Sequence, residues 1–124
     1  MTIKETVSAY FTELDRLAAG AVPEFDTALC KGLNVERMSL ATRAVNAETS
    51  PTAATLDAVA EGFQALSALV EGVKRSTAEP EASFKALDAA AENVVHAGQV
   101  ARRDIARAYA RQQIAAARAN AGRS

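Results

Sequence analysis

Apolar residues recur at steps of three and four along almost the whole chain, which is the period of an amphipathic α-helix. The first such segment runs from Ile3 to Leu17 and opens with Thr2 and Glu5 at capping-box spacing. Gly20 is expected to close this helix as its C-terminal cap, and Pro23 suits the first turn of the next one. The second segment is less regular, because Phe25, Leu29, Leu33, Glu36 and Leu40 follow one stripe, whereas Val35, Met38 and Val45 follow another.

Two proline-marked breaks predict the remaining helices. Ser50-Pro51 pairs a favoured N-cap with a favoured first helical residue, so a third helix is expected to begin there. Its seam, with apolar residues alternating steps of four and three as in a coiled coil, contains Leu56, Val59, Phe63, Leu66, Val70 and Val73. Gly62 and Gly72 beside this seam would permit close helix approach. Pro80 marks the start of a last helix that meets no stop signal before Gly122.

These elements predict an all-α fold, an antiparallel up-down bundle of about four helices forming one domain over residues 1–124. The predicted core is Phe11, Leu14, Phe25, Leu29, Leu56, Val59, Phe63, Leu66, Val70, Phe84, Leu87 and Val94. A last helix from Pro80 to near Asn120 would be about 60 Å long, against about 40 Å for the third helix. The last helix must therefore protrude, and residues 101–124 are expected to form a basic C-terminal extension.

Composition and charge refine this interpretation. Hydrophobic residues make up 49% and charged residues 23% of the 124, a globular balance in which alanine favours helix. No apolar run is long enough for a membrane span and no secretory signal is evident, so a cytoplasmic protein is expected. From Gln99 to Ser124 six arginines against one aspartate give +5, leaving −6 on the other residues.

The basic end is the predicted partner-binding element, through self-association or docking to a protein. The residues expected to carry the contact are Arg102, Arg103, Arg107, Tyr109, Arg111, Ile114 and Arg118. Arg103, Arg107, Arg111 and Arg118 fall on one side of a helix, where they could also follow a phosphate backbone. Nucleic-acid binding is therefore an alternative, although only Tyr109 is available for stacking.

No constellation of residues indicates catalysis, and no cofactor or metal is expected. Glu36 and Glu61 could be paired acids, but the chain has one histidine and lacks the Glu-x-x-His pairs of di-metal bundles. His96 could suggest a histidine phosphotransfer domain, but no lysine follows it closely. Cys30 lies about two turns into the predicted second helix, with the one histidine far away in sequence, and is interpreted as a structural cysteine. A non-catalytic interaction protein is the prediction.

One resemblance suggests a further alternative. The alanine-rich, tryptophan-free chain has a proline-marked break, Ser76-Thr77-Ala78-Glu79-Pro80-Glu81-Ala82, before a long helix. In composition and layout its last two helices resemble phasins, the helical proteins that coat polyester storage granules. The resemblance implies a bundle that coats a granule surface.

Overall fold

The computed structural model describes residues 1–123, and these residues form helices joined by short connections. The α-helices are α1 (Ile3–Arg16), α2 (Pro23–Ala28), α3 (Asn34–Thr49), α4 (Ala53–Ser76) and α5 (Lys85–Ala121). Because α2 and α3 form one kinked helix, the fold is an all-α bundle of four helices with a long C-terminal helix, as predicted.

The first helix begins as predicted but ends differently. The Thr2 hydroxyl accepts a hydrogen bond from the backbone N–H of Glu5, and the Glu5 carboxylate accepts one from the Thr2 N–H, which completes the capping box. Gly20 is not the C-terminal cap, because the chain continues through a π-helical turn, Leu17–Ala21, and leaves the helical conformation at Val22. Pro23 then occupies the first turn of α2, where its missing N–H costs no hydrogen bond.

Gly32 divides the second predicted helix with a kink. This residue lies in a second π-helical turn, Leu29–Leu33, with φ of 146°, a conformation that residues with a Cβ rarely adopt. The first stripe stays in the core on both sides of the kink, since Phe25, Leu33 and Leu40 are buried. The second stripe, Val35, Met38 and Val45, lies wholly after the kink and is exposed.

The start of α4 corrects the prediction by two residues. Thr52, rather than Ser50, is the N-cap: its hydroxyl accepts from the Thr55 N–H at 3.1 Å, and the Thr55 hydroxyl accepts from the Thr52 N–H at 2.8 Å. This reciprocal pair satisfies free N–H groups more completely than a lone serine would. The last helix follows the prediction, opening with a short 3₁₀ turn at Glu81–Phe84 and ending at Gly122.

The helices form a closed antiparallel ring in which α1 packs against α3 and α5, and α4 packs against the same two neighbours. Side chains join the elements across the ring. Arg37 of α3 forms an ion pair with Asp15 of α1, and Lys74 of α4 pairs with Asp88 of α5 at 2.9 Å. Aromatic edges also meet, with Tyr10 on Phe63 and Phe25 on Phe84.

The core confirms most of the predicted set. Nine of the twelve predicted residues are buried, and Phe11, Leu29 and Phe63 are partly buried against them. The prediction missed buried residues of α1, α3 and the turns between them: Ile3, Val7, Tyr10, Leu17, Val22, Leu33, Leu40, Ala44 and Ala47. Of the two seam glycines, only Gly62 allows close approach, because a Cβ there would lie 3.0 Å from Cδ of Arg43, whereas one at Gly72 would meet nothing within 4 Å.

Candidate interaction surface

The C-terminal part of α5 projects beyond the other helices. Every residue from Ala106 to Ala121 is exposed, whereas Ala101 and Ile105 still pack against the core. These sixteen exposed residues, called the overhang from here on, extend about 24 Å. The overhang leaves from the pole of the bundle where α3 connects to α4, because α5 residues 97–104 lie beside Met1, Ala47 and Pro51 there.

Arg102 anchors the base of the overhang instead of contributing to its free surface. Its guanidinium donates a hydrogen bond to a carboxylate oxygen of Asp57 in α4, at 2.6 Å. The side chain of Ile105, one turn later, is partly buried against the core. Of the predicted partner-binding residues, Arg102 is exposed but paired with α4, and Arg103 is exposed just before the overhang. The overhang itself carries Arg107, Tyr109, Arg111, Ile114 and Arg118.

Two faces of the overhang differ in chemistry. Each residue turns the helix by about 100°, so the face of α5 that packs on the core lower down can be followed into the overhang. There this face carries Ala108, Gln112, Ala115 and Ala119, and Tyr109 lies beside it. The opposite face carries the apolar line Ala110, Ile114 and Ala117, bordered by Arg107, Arg111 and Arg118. The arginines therefore lie beside Ile114, and Tyr109 lies on a different side of the helix from the arginines and from Ile114.

The overhang arginines, and Arg103 just before them, have no carboxylate partner among the described residues. Arg103, Arg107, Arg111 and Arg118 form no ion pair there, and the Nε–H of Arg111 donates only to the backbone oxygen of Arg107, at 3.4 Å. The overhang contains no acidic residue. It therefore presents a positive charge that this chain does not neutralise within the part described.

The candidate catalytic residues are not brought together. Glu61 is exposed and lies 3.7 Å from the Arg43 guanidinium, and Glu36 borders a groove elsewhere on the bundle. His96 is exposed on α5. Within residues 1–123, no three or more histidine, cysteine, aspartate or glutamate side chains group in a way that could hold a metal ion.

Cys30 differs from the expectation of a structural cysteine. It lies in the Leu29–Leu33 turn and its side chain is exposed, so it is not part of the core.

A groove that the sequence did not predict lies at the pole opposite the overhang. The groove has a volume of about 740 Å³ and lies between the kinked α2–α3 helix and the C-terminal end of α4. It is lined by Glu24, Thr27, Ala28, Lys31, Gly32, Leu33, Val35, Glu36, Leu69, Val73 and Ser76. The second apolar stripe of α3 was the signal that could have found it, since Val35 and Met38 of that stripe are exposed.

None of the helices in the described part of the chain combines the length and the apolar character needed to cross a bilayer. Comparisons with protein-family models, with curated protein sequences and with solved structures find no match to this chain.

Proposed function

We propose that this protein is a non-catalytic cytoplasmic assembly module that uses its overhang to hold a protein partner, foremost another copy of itself. The observation that carries the proposal is the overhang itself: sixteen consecutive helical residues, all exposed, that leave the bundle as a continuation of α5. A helix of this length is marginal in water without packing. A partner that covers it supplies the packing that the bundle does not.

The side chains of the overhang favour a protein partner over a nucleic acid. Ile114 is 53% exposed and Tyr109 is 63% exposed, so each face offers one large apolar group that gains free energy when it is covered. The body of the molecule carries −6, and the basic end +5, so a second copy provides the acidic surface that the arginines lack.

Sedimentation equilibrium on the full chain and on a chain ended at Ala106 tests this proposal. The full chain should associate as its concentration rises, and the shortened chain should remain a monomer with unchanged helical content. Monomers in both cases, with equal capture of partners from host extract, would contradict the proposal.

A matched experiment examines nucleic-acid binding by the same element. Fluorescence anisotropy with a labelled oligonucleotide should show at most weak binding. Tight binding that falls steeply with salt, and that is lost when Arg103 and Arg107 become alanine, would replace the proposed function by the nucleic-acid alternative.

A further inference from the structure

The groove described above is an apolar site with a charged border. Val35 is 67% exposed and Leu69 is 45% exposed, and these side chains form opposite walls from α3 and α4. Leu33 lies buried beneath them and Val73 lines the same wall as Leu69. Exposed aliphatic side chains that line a concave surface favour the binding of an apolar side chain from a partner.

The border of the groove carries carboxylates that have no cation partner in the described part of the chain. Glu24 of α2 and Glu36 of α3 both line the groove, and neither forms an ion pair within residues 1–123. Lys31 is the only cation among the described lining residues. The lining therefore has an excess of negative charge, which only the positive charge of Lys31 opposes among the described lining residues.

The Ile114 face of the overhang matches this groove in chemistry and length. A helix that docks in a groove presents apolar anchors at steps of three and four, as Ala110, Ile114 and Ala117 do. Arg111 and Arg118 border the anchor and can reach carboxylates such as Glu24 and Glu36. Seven residue steps separate the two arginines, about 10 Å, and seven steps also separate Leu69 from Ser76 along the groove wall.

The overhang cannot reach the groove of its own chain. The groove lies at the pole near Gly32 and Ser76, whereas the overhang leaves from the pole near Pro51 and extends away from the bundle. The 24 residues of α4 separate the two poles by about 36 Å. The occupant must therefore come from a second molecule.

We propose that the overhang of one copy docks by its Ile114 face into the groove of the next copy, so that the protein assembles head to tail. This inference rests on the proposed function and names the surface that receives the overhang. Because the two contact surfaces differ, each bound pair still has one free overhang and one free groove, and the assembly can continue as an open chain. An overhang-to-overhang contact would instead give a closed dimer.

A mixing experiment distinguishes these arrangements. One variant carries Ile114→Glu in the overhang, and a second carries Val35→Glu and Leu69→Glu in the groove. All three positions are exposed, so the bundle should tolerate the changes, and circular dichroism with thermal unfolding checks this. Val45→Glu, on an exposed part of α3 outside the groove, is the matched control.

Head-to-tail assembly predicts that each variant alone is a monomer by light scattering. An equimolar mixture should form heterodimers and nothing larger, because one intact overhang and one intact groove remain. The control should form the same concentration-dependent series as the unchanged protein. A groove variant that associates like the unchanged protein would overturn this inference and leave the proposed function intact, whereas monomers for every protein, the unchanged one included, would contradict both.

The charges provide a second test by sedimentation. Replacing Lys31 by glutamate should strengthen assembly, because it removes the cation that opposes the arginines. Replacing Glu24 and Glu36 by glutamine should weaken it, and so should raising the salt concentration. Equal association of both variants and the unchanged protein would overturn the assignment of the arginines to this groove.

Discussion

Lys74 joins the last turn of α4 to the start of α5. Its ammonium group lies 2.9 Å from Asp88 and 3.1 Å from Glu71, and it sits over the ring of Phe84 at 5.4 Å. Desolvation by burial lowers the pKa of Lys74, but the hydrogen bonds and charges of Asp88 and Glu71 outweigh it, so the net shift is upward. The pKa of Tyr10 is also raised well above its usual value, first by burial and then by the charges of Glu71 and Asp88.

Alkaline pH should therefore destabilise the fold. Both folded pKa values lie above their unfolded values of about 10, so the stabilisation is complete below that pH and is lost as the pH rises through the folded values. Urea unfolding followed by circular dichroism at about pH 8 and about pH 11 should show a lower free energy of unfolding at the higher pH. Replacing Tyr10 by phenylalanine should reduce this difference, and an equal difference in both proteins would contradict the prediction.

Glycine substitutions provide a second prediction about single residues. Gly72→Ala should raise the free energy of unfolding by about 0.5 to 1 kcal/mol, because alanine favours helix and its Cβ would meet nothing within 4 Å. Gly62→Ala should gain less, because its Cβ would lie 3.0 Å from Cδ of Arg43. Gly32→Ala should destabilise the fold, because φ there is 146°. Chemical denaturation of the three variants checks the order, and a Gly32→Ala protein as stable as Gly72→Ala would refute the argument.

Helix α5 consists of two parts with different roles. Its first part contributes Leu87, Ala90, Val94 and Ala97 to the core, and Ala101 and Ile105 pack at the edge of that core. The exposed ion pair of Arg102 and Asp57 contributes at most about 1 kcal/mol, so the packing of Ile105 is the stronger reason to place the boundary after it. Burial of side chains, and not a change in helix propensity, separates the two parts of α5.

Truncation tests this boundary. A chain ended at Ala106 should keep its free energy of unfolding within about 0.5 kcal/mol of the full chain, because exposed residues contribute little. A chain ended at Gln99 should lose about 1 to 2 kcal/mol, because it lacks Ala101, Arg102 and Ile105. Urea denaturation of both monomers at low concentration is the measurement. Equal stability of the two would contradict the boundary.

At the scale of the whole molecule, the antiparallel ring separates the overhang from the groove. The up-down order of the helices alone places the C-terminal end of α5 at the pole opposite the α2–α3 kink. In the proposed assembly the two surfaces therefore meet only between molecules. This polarity is what makes an open chain the expected assembly.

The assembly should depend on concentration and salt together. The proposed contact is short, and its arginine–carboxylate pairs are near solvent, so screening weakens them. Light scattering at a fixed protein concentration should show a falling average mass as salt increases, with helical content unchanged. A mass that rises with salt would indicate that apolar contacts alone drive association.

Local features of the sequence were enough to predict four helices, their antiparallel order and a projecting last helix. These features are the hydrophobic spacing, the prolines Pro23, Pro51 and Pro80, and the capping box at Thr2. They suffice because each acts over a few neighbouring residues. The kink at Gly32 could not be predicted in this way. A glycine in a helical pattern is compatible with either helix or kink, and packing of the flanking segments decides between them.

The sequence by itself determined the helices and the basic character of the chain's end, since spacing and charge are properties of the residues in order. Only the tertiary structure decided which apolar residues remain exposed. Val35 and Leu69 lie thirty-four positions apart, and each lies outside the main apolar stripe of its helix. They form one groove because the kinked helix and α4 meet there, and burial depends on what packs against a side chain and not on the side chain alone.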